Sequence, residues 1–320
     1  MTELPTTEPL WEASNKNEPF RDLAVTPDGR FVVSNADKGE IEFRDIETGE
    51  VEKSLPGVGK NTTGFACTSD GRSLLAGYSD GRLILWDIEK TSKRFEIKRR
   101  KKAASAIRIF PGDEYAATTH VDGSIHLWDI TKEKHLNATD VSDGEHSGTG
   151  ISISNTGENI IIPLEGGELV FFELVMKTEL PHLRANDNPQ QIAYKFAARC
   201  AEILPDGVRF VFGQKNGVVR VGRFDFEEKP RPIILSVCQE EVVSLAVHPI
   251  FPQIAIGGLE GTLERWELPH EVCISHYTPH EGRVVKTVFS SDGAYLVAGG
   301  EDRLLRCYGG TSKKYKEPSD

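Results

Sequence analysis

The chain has 320 residues, of which 38% are apolar and 27% are charged, so it carries enough apolar side chains for a core and is not of the disordered class. Its 38 Lys and Arg against 49 Asp and Glu give a net charge of −11, which argues against general binding to nucleic acid or to an anionic bilayer. The sequence shows no apolar run of about 18 residues and no secretory signal. We therefore expect a soluble, non-exported protein in the cytoplasm or the nucleus.

Five cysteines are spread along the chain, at positions 67, 200, 238, 273 and 307. Their odd number and the lack of any CxxC pair indicate neither a disulfide framework nor a structural zinc site. We expect reduced thiols, no resident metal and no cofactor.

A fixed spacing recurs along the chain, which is typical of repeat architectures. In five repeats a turn glycine is followed fifteen residues later by the end of an apolar run. The glycines are Gly29, Gly71, Gly157, Gly207 and Gly293, and the end points are Arg44, Trp86, Phe172, Gly222 and Tyr308. In two further repeats Asp113 and Phe251 take the place of the glycine and precede Trp128 and Trp266 by the same fifteen residues. Successive end points are 42 to 50 residues apart, so insertions fall between these segments and never inside them.

The segment 71–86, GRSLLAGYSDGRLILW, indicates what each repeat encodes. Two apolar runs of about five residues flank a Ser-Asp-Gly turn, as in a β-hairpin. Another apolar run precedes each hairpin and a weaker one follows it, which gives four strands per repeat. We therefore predict an all-β fold, a seven-bladed β-propeller of four-stranded antiparallel blades. The alternative, a β-sandwich, has no reason to keep one spacing seven times.

Three segments resemble the third-strand signature of the WD-repeat family. They are DGRLILWD at 80–87, DGSIHLWD at 122–129 and the near match EGTLERWE at 260–267. The resemblance covers nearly the whole chain and implies one propeller domain over residues 1–309 with a polar tail at 310–320. It also implies structural roles for Trp86, Asp87, Trp128, Asp129 and Trp266, and for the last blade's His280 and Asp302, which occupy the places of a hydrogen-bonded pair of the family.

The last repeat ends after its third strand, at Tyr308, and is followed by a polar segment. An unpaired blade edge needs a partner strand. By resemblance to the family, we predict that residues 8–15 complete the last blade and that Trp11 packs against it.

Motifs for catalysis are missing from the sequence, which contains no GxSxG, HExxH, phosphate-binding loop or DxDxDG calcium loop. Asp143, Glu145 and His146 lie close together in the segment 142–148, but such a glycine-rich acidic stretch is typical of a solvated turn. The sequence favours a non-enzymatic protein-interaction scaffold, with a monomeric ring that binds other proteins, within a multisubunit complex, and does not bind a membrane. A propeller enzyme with a channel metal is an alternative.

A run of five basic residues stands out in this acidic chain: Lys98, Arg99, Arg100, Lys101 and Lys102. It lies between the second and third blades, in a connector that opens on the top face of the ring in the WD-repeat family. Three interpretations remain open: a solvated loop, a nuclear-import signal, or a docking patch for an acidic peptide, a phosphopeptide or nucleic acid.

The mouth of the central channel is the second candidate surface. The repeat register places there Phe20, Arg21, Arg199 and Arg283 from the starts of the inner strands, and Tyr78, His120 and Lys215 from the inner turns. Aromatic residues beside arginines favour a partner-binding role. The alternative is that these side chains only cap the blade ends.

Overall fold

Seven sheets follow one another in the computed structural model, which describes residues 6–98, 102–140, 147–175, 181–185, 198–224, 231–233 and 240–310. The chain begins with β1 (Thr6–Thr7) and β2 (Trp11–Ser14). Blade 1 consists of β3 (Leu23–Val25), β4 (Phe31–Asn35), β5 (Ile41–Asp45) and β6 (Val51–Leu55), and a 3-10 turn spans Asp37–Gly39. Blade 2 consists of β7 (Thr62–Cys67), β8 (Ser73–Tyr78), β9 (Arg82–Asp87) and β10 (Ser92–Lys98).

The next three blades have the same order of strands. Blade 3 consists of β11 (Ala104–Ile109), β12 (Tyr115–His120), β13 (Ser124–Asp129) and β14 (Lys134–Asp140). Blade 4 consists of β15 (Ser152–Ile153), β16 (Asn159–Pro163), β17 (Leu169–Val175) and β18 (His182–Ala185). Blade 5 consists of β19 (Ala198–Ile203), β20 (Arg209–Gln214), β21 (Val219–Arg223) and β22 (Arg231–Ile233).

The last two blades complete the ring. Blade 6 consists of β23 (Val242–Val247), β24 (Gln253–Gly258), β25 (Leu263–Glu267) and β26 (Val272–Tyr277), and blade 7 contains β27 (Val284–Phe289), β28 (Tyr295–Gly300) and β29 (Leu304–Gly309). Strand β27 contacts β3 of the first blade, which closes the circle. The predicted seven-bladed β-propeller is therefore confirmed. No helix in the described part of the chain has the length and apolar composition to span a bilayer.

The hairpin predicted from the segment 71–86 is present in blade 2. Strands β8 and β9 pair antiparallel from Ser73 opposite Asp87 to Gly77 opposite Leu83. Gly81, in the turn between them, has a φ of 84°, which is the left-handed backbone that glycine adopts without steric cost.

The N-terminal segment completes the last blade, as predicted. Strand β2 pairs antiparallel with β29, from Trp11 opposite Cys307 to Ser14 opposite Leu304. Strand β1 was not predicted: it pairs in parallel with β26 and adds a fifth strand to blade 6, with Thr6 opposite His276. The segment therefore joins two neighbouring blades.

Trp11 connects the last blade to the first. Its ring packs against an apolar cluster that includes Leu305 of blade 7 and Val32 of blade 1, and its Nε1 donates a hydrogen bond of 2.8 Å to the carbonyl of Ile46. A Cβ on Gly49 would lie only 2.6 Å from the indole of Trp11, so only glycine at position 49 leaves room for this side chain.

The core lies between blades, because each blade buries one face against the next. Trp86 is 1% exposed and packs with residues of blades 1 and 2, among them Phe43 and Phe65. Trp128 occupies the corresponding place between blades 2 and 3, whereas Trp266 is only partly buried. The carboxylates of Asp87 and Asp129 accept backbone N–H groups of the turns that follow them.

His280 and Asp302 lie together beneath the surface of blade 7. The Nδ1 of His280 is 3.0 Å from each carboxylate oxygen of Asp302, and His280 is only 3% exposed. Burial lowers the pKa of His280 below its usual value, although Asp302 opposes this effect. Burial alone would raise the pKa of Asp302, but the hydrogen bonds it accepts from His280 and from the backbone lower it. The pair therefore consists of a neutral imidazole and a carboxylate near pH 7.

The His280–Asp302 pair should make the free energy of unfolding depend on pH. Since the pKa of His280 is lower in the folded chain, the unfolded chain binds more protons below the ordinary histidine pKa of about 6.5, and stability falls as pH falls. The contribution of Asp302 disappears only under more acidic conditions, below about pH 4. We expect the free energy of unfolding to decrease from pH 7 to pH 5, and His280→Gln to remove part of this decrease. Denaturant titrations at a series of pH values check this, and an unchanged slope in the variant would contradict it.

Candidate partner-binding site at the channel mouth

One end of the channel of the ring is a small cavity of about 180 Å³, and a second cavity of about 310 Å³ lies next to it and shares Arg108, Glu202, Leu245 and Lys286 with it. The walls of the smaller cavity come from the first strand of each blade, or from residues just before it, and all seven blades contribute. The volume of the smaller cavity is below the roughly 300–1,000 Å³ that is typical of small-molecule sites. This end of the channel therefore has room for one small group rather than for a substrate of ordinary size.

Three residues that the sequence placed at the mouth are buried: Phe20 and His120 are each 1% exposed, and Tyr78 is fully buried. Phe20 packs in the apolar cluster between blades 7 and 1. The hydroxyl of Tyr78 accepts a hydrogen bond of 3.0 Å from Trp86 Nε1, and Nε2 of His120 lies 2.9 Å from Thr118 Oγ1. These side chains close the ends of their blades and are not accessible to a partner.

The basic residues at the mouth behave differently. Arg21 and Arg283 are exposed, Arg199 is partly buried, and all three line the channel cavity. Lys215 is exposed in the turn after β20. Because Ala198 pairs with Gln214 at the end of the β19–β20 ladder, Lys215 lies on the same face of the ring as Arg199.

The three arginines differ in their ion pairs. Nε of Arg199 lies 2.5 Å from Glu241 Oε1, whereas Nε of Arg21 lies 3.9 Å from Glu18 Oε2. Arg283 makes no ion pair with any residue that the structure describes. At the mouth, the guanidinium of Arg199 is therefore held in an ion pair, whereas those of Arg21 and Arg283 are available to a ligand.

Residues 99–101, which are most of the basic run, lie outside the described residues. Lys98 is the last residue of β10, and its side chain is also not described. Lys102 is exposed, with its Nζ 4.0 Å from Asp122 Oδ2. It precedes Ser105 of the channel wall by three residues, so the connector joins the ring on the face that carries the arginines. Asp143, Glu145 and His146 lie outside the described residues as well.

An ion network that the sequence did not reveal crosses the channel below the mouth. Glu202 of blade 5 lies 3.6 Å from an Arg108 guanidinium nitrogen of blade 3 and 3.9 Å from Lys286 Nζ of blade 7. It also accepts a hydrogen bond of 2.8 Å from the hydroxyl of Ser152 in blade 4. The network links four blades and forms a floor to the channel.

Removal of the Glu202 carboxylate from this ion network should destabilise the propeller. Glu202→Ala leaves Arg108 and Lys286 facing each other, and we expect a loss of about 1 kcal/mol in the free energy of unfolding, because the groups are partly exposed. The loss should be larger at low salt, since screening is then weaker. Urea titrations at two salt concentrations test this against Glu52→Ala, a change on the exposed part of β6. Equal effects of the two variants would contradict the assignment.

Glu264, Cys273 and His276 form a group whose ligand-type atoms lie within 4.8 Å of one another. The imidazole lies between the other two side chains, with Nδ1 3.0 Å from Glu264 and Nε2 3.8 Å from the sulfur of Cys273. Burial raises the pKa of Cys273 to about 12, so the sulfur is a thiol. The three side chains form a hydrogen-bonded set.

Comparison with known proteins gives a family and several distant relatives. The family model described as WD domain, G-beta repeat matches residues 49–87 and 271–308. Cilia- and flagella-associated protein 52 of Homo sapiens is 21% identical over 273 residues, which cover 82% of this chain and 42% of that protein. U3 small nucleolar RNA-associated protein 7 of Saccharomyces cerevisiae is 27% identical over 137 residues, 43% of this chain and 24% of that protein. Telomerase protein component 1 of Rattus norvegicus is 22% identical over 307 residues, 89% of this chain and 11% of that protein.

The chain spans less than half the length of each of these relatives. The segments that the family model matches include the Trp-Asp hairpin of blade 2 and strands β27 and β28 of blade 7. The chain is therefore similar to the WD-repeat family over residues 49–87 and 271–308, and it folds as a seven-bladed β-propeller.

Proposed function

We propose that the chain is a non-enzymatic protein-interaction scaffold whose partners dock on the face where the channel opens. The observation that carries this proposal is the exposure of Arg21 and Arg283 at the mouth and of Lys215 on the same face of the ring, from three different blades. Arginine is among the residues that contribute most to interface energies. A closed ring holds such side chains in place before binding, which reduces the entropy lost on association.

The chemistry of the channel supports binding over catalysis. Cys200 is a potential nucleophile in the channel wall, but burial raises its thiol pKa to about 12. The thiolate, which is the reactive form, is therefore scarce near neutral pH.

The relatives bear on the setting of the proposed function. Their names associate them with cilia and flagella, with a small nucleolar RNA and with telomerase. We propose by analogy that this chain works within a multisubunit complex in the cytoplasm or the nucleus. Contact with nucleic acid through residues 98–102 is a second candidate, favoured by the exposed Lys102 on the same face as the arginines.

Site-specific photo-crosslinking tests the docking face. A benzophenone amino acid is placed at Lys215 on the mouth face or at Ile250, which is 64% exposed in the turn at the opposite end of blade 6. In cells, we expect discrete protein adducts from position 215 and none from position 250. Adducts from position 250 alone, or equal adducts from both positions, would contradict docking at the mouth.

A further inference from the structure

We propose that blade 6 contains a binding site for a zinc ion, with Glu264, Cys273 and His276 as its protein ligands and water in the fourth position. One atom of each side chain, an oxygen, a sulfur and an imidazole nitrogen, lies within 4.8 Å of the other two. The site lies on the two outer strands of the blade rather than at the channel. The inference therefore goes beyond the docking function and does not depend on it.

Strand pairing brings the three ligands together from two strands. In the β25–β26 ladder Glu264 lies opposite His276, and Trp266 lies opposite Cys273. Residues opposite each other share a face of the sheet. Residues three apart in a regular strand point to opposite faces, but a shift in register leaves Ile274 without a partner and turns Cys273 to the face of His276. The sequence spacing therefore matches no zinc motif, although the folded strands present three ligands on one face.

The distances between the ligand atoms are close to those around a tetrahedral zinc ion. A carboxylate oxygen of Glu264 is 3.0 Å from Nδ1 of His276, and the sulfur of Cys273 is 4.0 Å from Oε2 of Glu264 and 3.8 Å from Nε2 of His276. Zinc bonds of about 2.0–2.3 Å place tetrahedral ligand atoms about 3.3–3.7 Å apart. Since the His276 side chain is 41% exposed, it is free to rotate until one nitrogen faces both the oxygen and the sulfur.

The surroundings of Glu264 favour a cation. Its side chain is only 6% exposed, and it forms no ion pair with any lysine or arginine that the structure describes. Burial raises its pKa, and the nearby carboxylate of Glu240 also raises it. Oε1 of Glu240 is itself buried and has no hydrogen-bond partner among the described residues. Buried carboxylates are costly unless they are paired or coordinate a metal, so a divalent ion would supply the missing positive charge.

The donor set suits zinc rather than calcium or magnesium. Zinc is bound by thiolate, imidazole and carboxylate groups, whereas calcium and magnesium take oxygen ligands. The thiol of Cys273 loses its proton to the solvent when the sulfur binds the ion. Nε1 of Trp266 donates a hydrogen bond of 2.8 Å to Oε2 of Glu264, which orients the carboxylate as the outer partners of metal ligands do. The exposure of His276 leaves the fourth position open to water.

A bound ion would also stabilise the attachment of the N-terminal segment. Thr6 of β1 pairs with His276, so the ion fixes the strand to which β1 adds. An ion that binds the folded chain alone shifts the unfolding equilibrium toward that state. We therefore expect saturating Zn²⁺ to raise the melting temperature.

Metal titration of the full chain tests the inference. The chain is prepared without a histidine tag, reduced, and freed of metal with a chelator, and it is then titrated with Zn²⁺ or with Co²⁺. We expect one Zn²⁺ per chain with a dissociation constant of about 1 μM or lower. Co²⁺ should give thiolate-to-metal charge-transfer absorption, because the sulfur of Cys273 binds the ion.

Matched variants assign the ligands. Cys273→Ser, His276→Gln and Glu264→Gln should each weaken Zn²⁺ binding by at least about 100-fold, because even the loss of an outer partner costs about 10–100-fold. If a buried variant does not fold, the exposed His276→Gln decides. The control is His270→Gln on the same blade, which should bind Zn²⁺ like the unchanged chain. Nδ1 of His270 lies 2.7 Å from Glu267, but this pair has no third ligand-type side chain within the described part of the chain.

Four results would overturn the inference: no stoichiometric binding of Zn²⁺, unchanged affinity in His276→Gln or Cys273→Ser, Co²⁺ binding without thiolate absorption, or equal weakening in His270→Gln. A rise in melting temperature with Zn²⁺ in the unchanged chain, but not in His276→Gln, would support it. The crosslinks expected from position 215 do not depend on the ion, so the zinc site and the docking function can each fail without the other.

Discussion

Removal of residues 1–16 should lower the melting temperature by about 6 °C or more. The truncation deletes β2, which exposes the edge of β29, and it removes the ring of Trp11 together with its hydrogen bond to Ile46. Lost strand pairing and lost aromatic burial together amount to at least about 4 kcal/mol, and with an unfolding entropy of about 2.1 cal/mol/K per residue each kcal/mol shifts the midpoint of a domain of this size by roughly 1.5 °C. Scanning calorimetry of the truncated and full-length chains measures the change.

A shorter truncation supplies the control. Removal of residues 1–9 deletes β1, whose two residues pair with His276 and Tyr277, but leaves β2 in place. We expect a shift of no more than about a third of that caused by the longer truncation, because far less pairing is lost. Equal melting temperatures for the chain lacking residues 1–16 and the full chain would contradict closure of the last blade by the N-terminal strand.

Replacement of Trp86 should have the second large effect. Trp86→Ala removes a ring that is 1% exposed between blades 1 and 2, and it leaves the Tyr78 hydroxyl without its donor. Large-to-small changes of this kind cost about 3–5 kcal/mol. Urea unfolding followed by circular dichroism gives the value.

The position of each tryptophan sets the expected order. Trp266→Ala should cost clearly less, because this ring is only partly buried and its Nε1 bonds to the carboxylate of Glu264 rather than to a fully buried side chain. Trp86→Phe should also cost less than Trp86→Ala, since it keeps most of the buried apolar surface. An equal loss from Trp86→Ala and Trp266→Ala would show that the packing between blades 1 and 2 has been overestimated.

The strands of each blade could be predicted because they pair with strands that are close to them in the sequence. The hairpin of residues 71–86 and the turn glycine Gly81 follow from alternation and turn chemistry within sixteen residues. The closing strand followed from the resemblance to the WD-repeat family, because the last repeat lacked one strand and the N-terminal segment contained an additional one. Strand β1 was not predicted, because a strand of two residues is too short to show an alternating pattern of apolar and polar residues.

The channel was less predictable because its residues are distant in sequence. Glu202 contacts Arg108 and Lys286 only once blades 3, 5 and 7 are placed around one axis. The repeat register located Phe20 and Arg21 at the mouth together, yet one is buried and the other exposed. Which of two adjacent side chains turns inward depends on packing against the neighbouring blade, which spacing alone does not encode.

A crystal structure of the full chain tests the central claim most directly. We expect seven blades, residues 11–14 paired with residues 304–307, and Arg21, Arg199 and Arg283 around one mouth of the channel. A ring of six or eight blades, an open stack, or an N-terminal strand paired elsewhere would contradict the account.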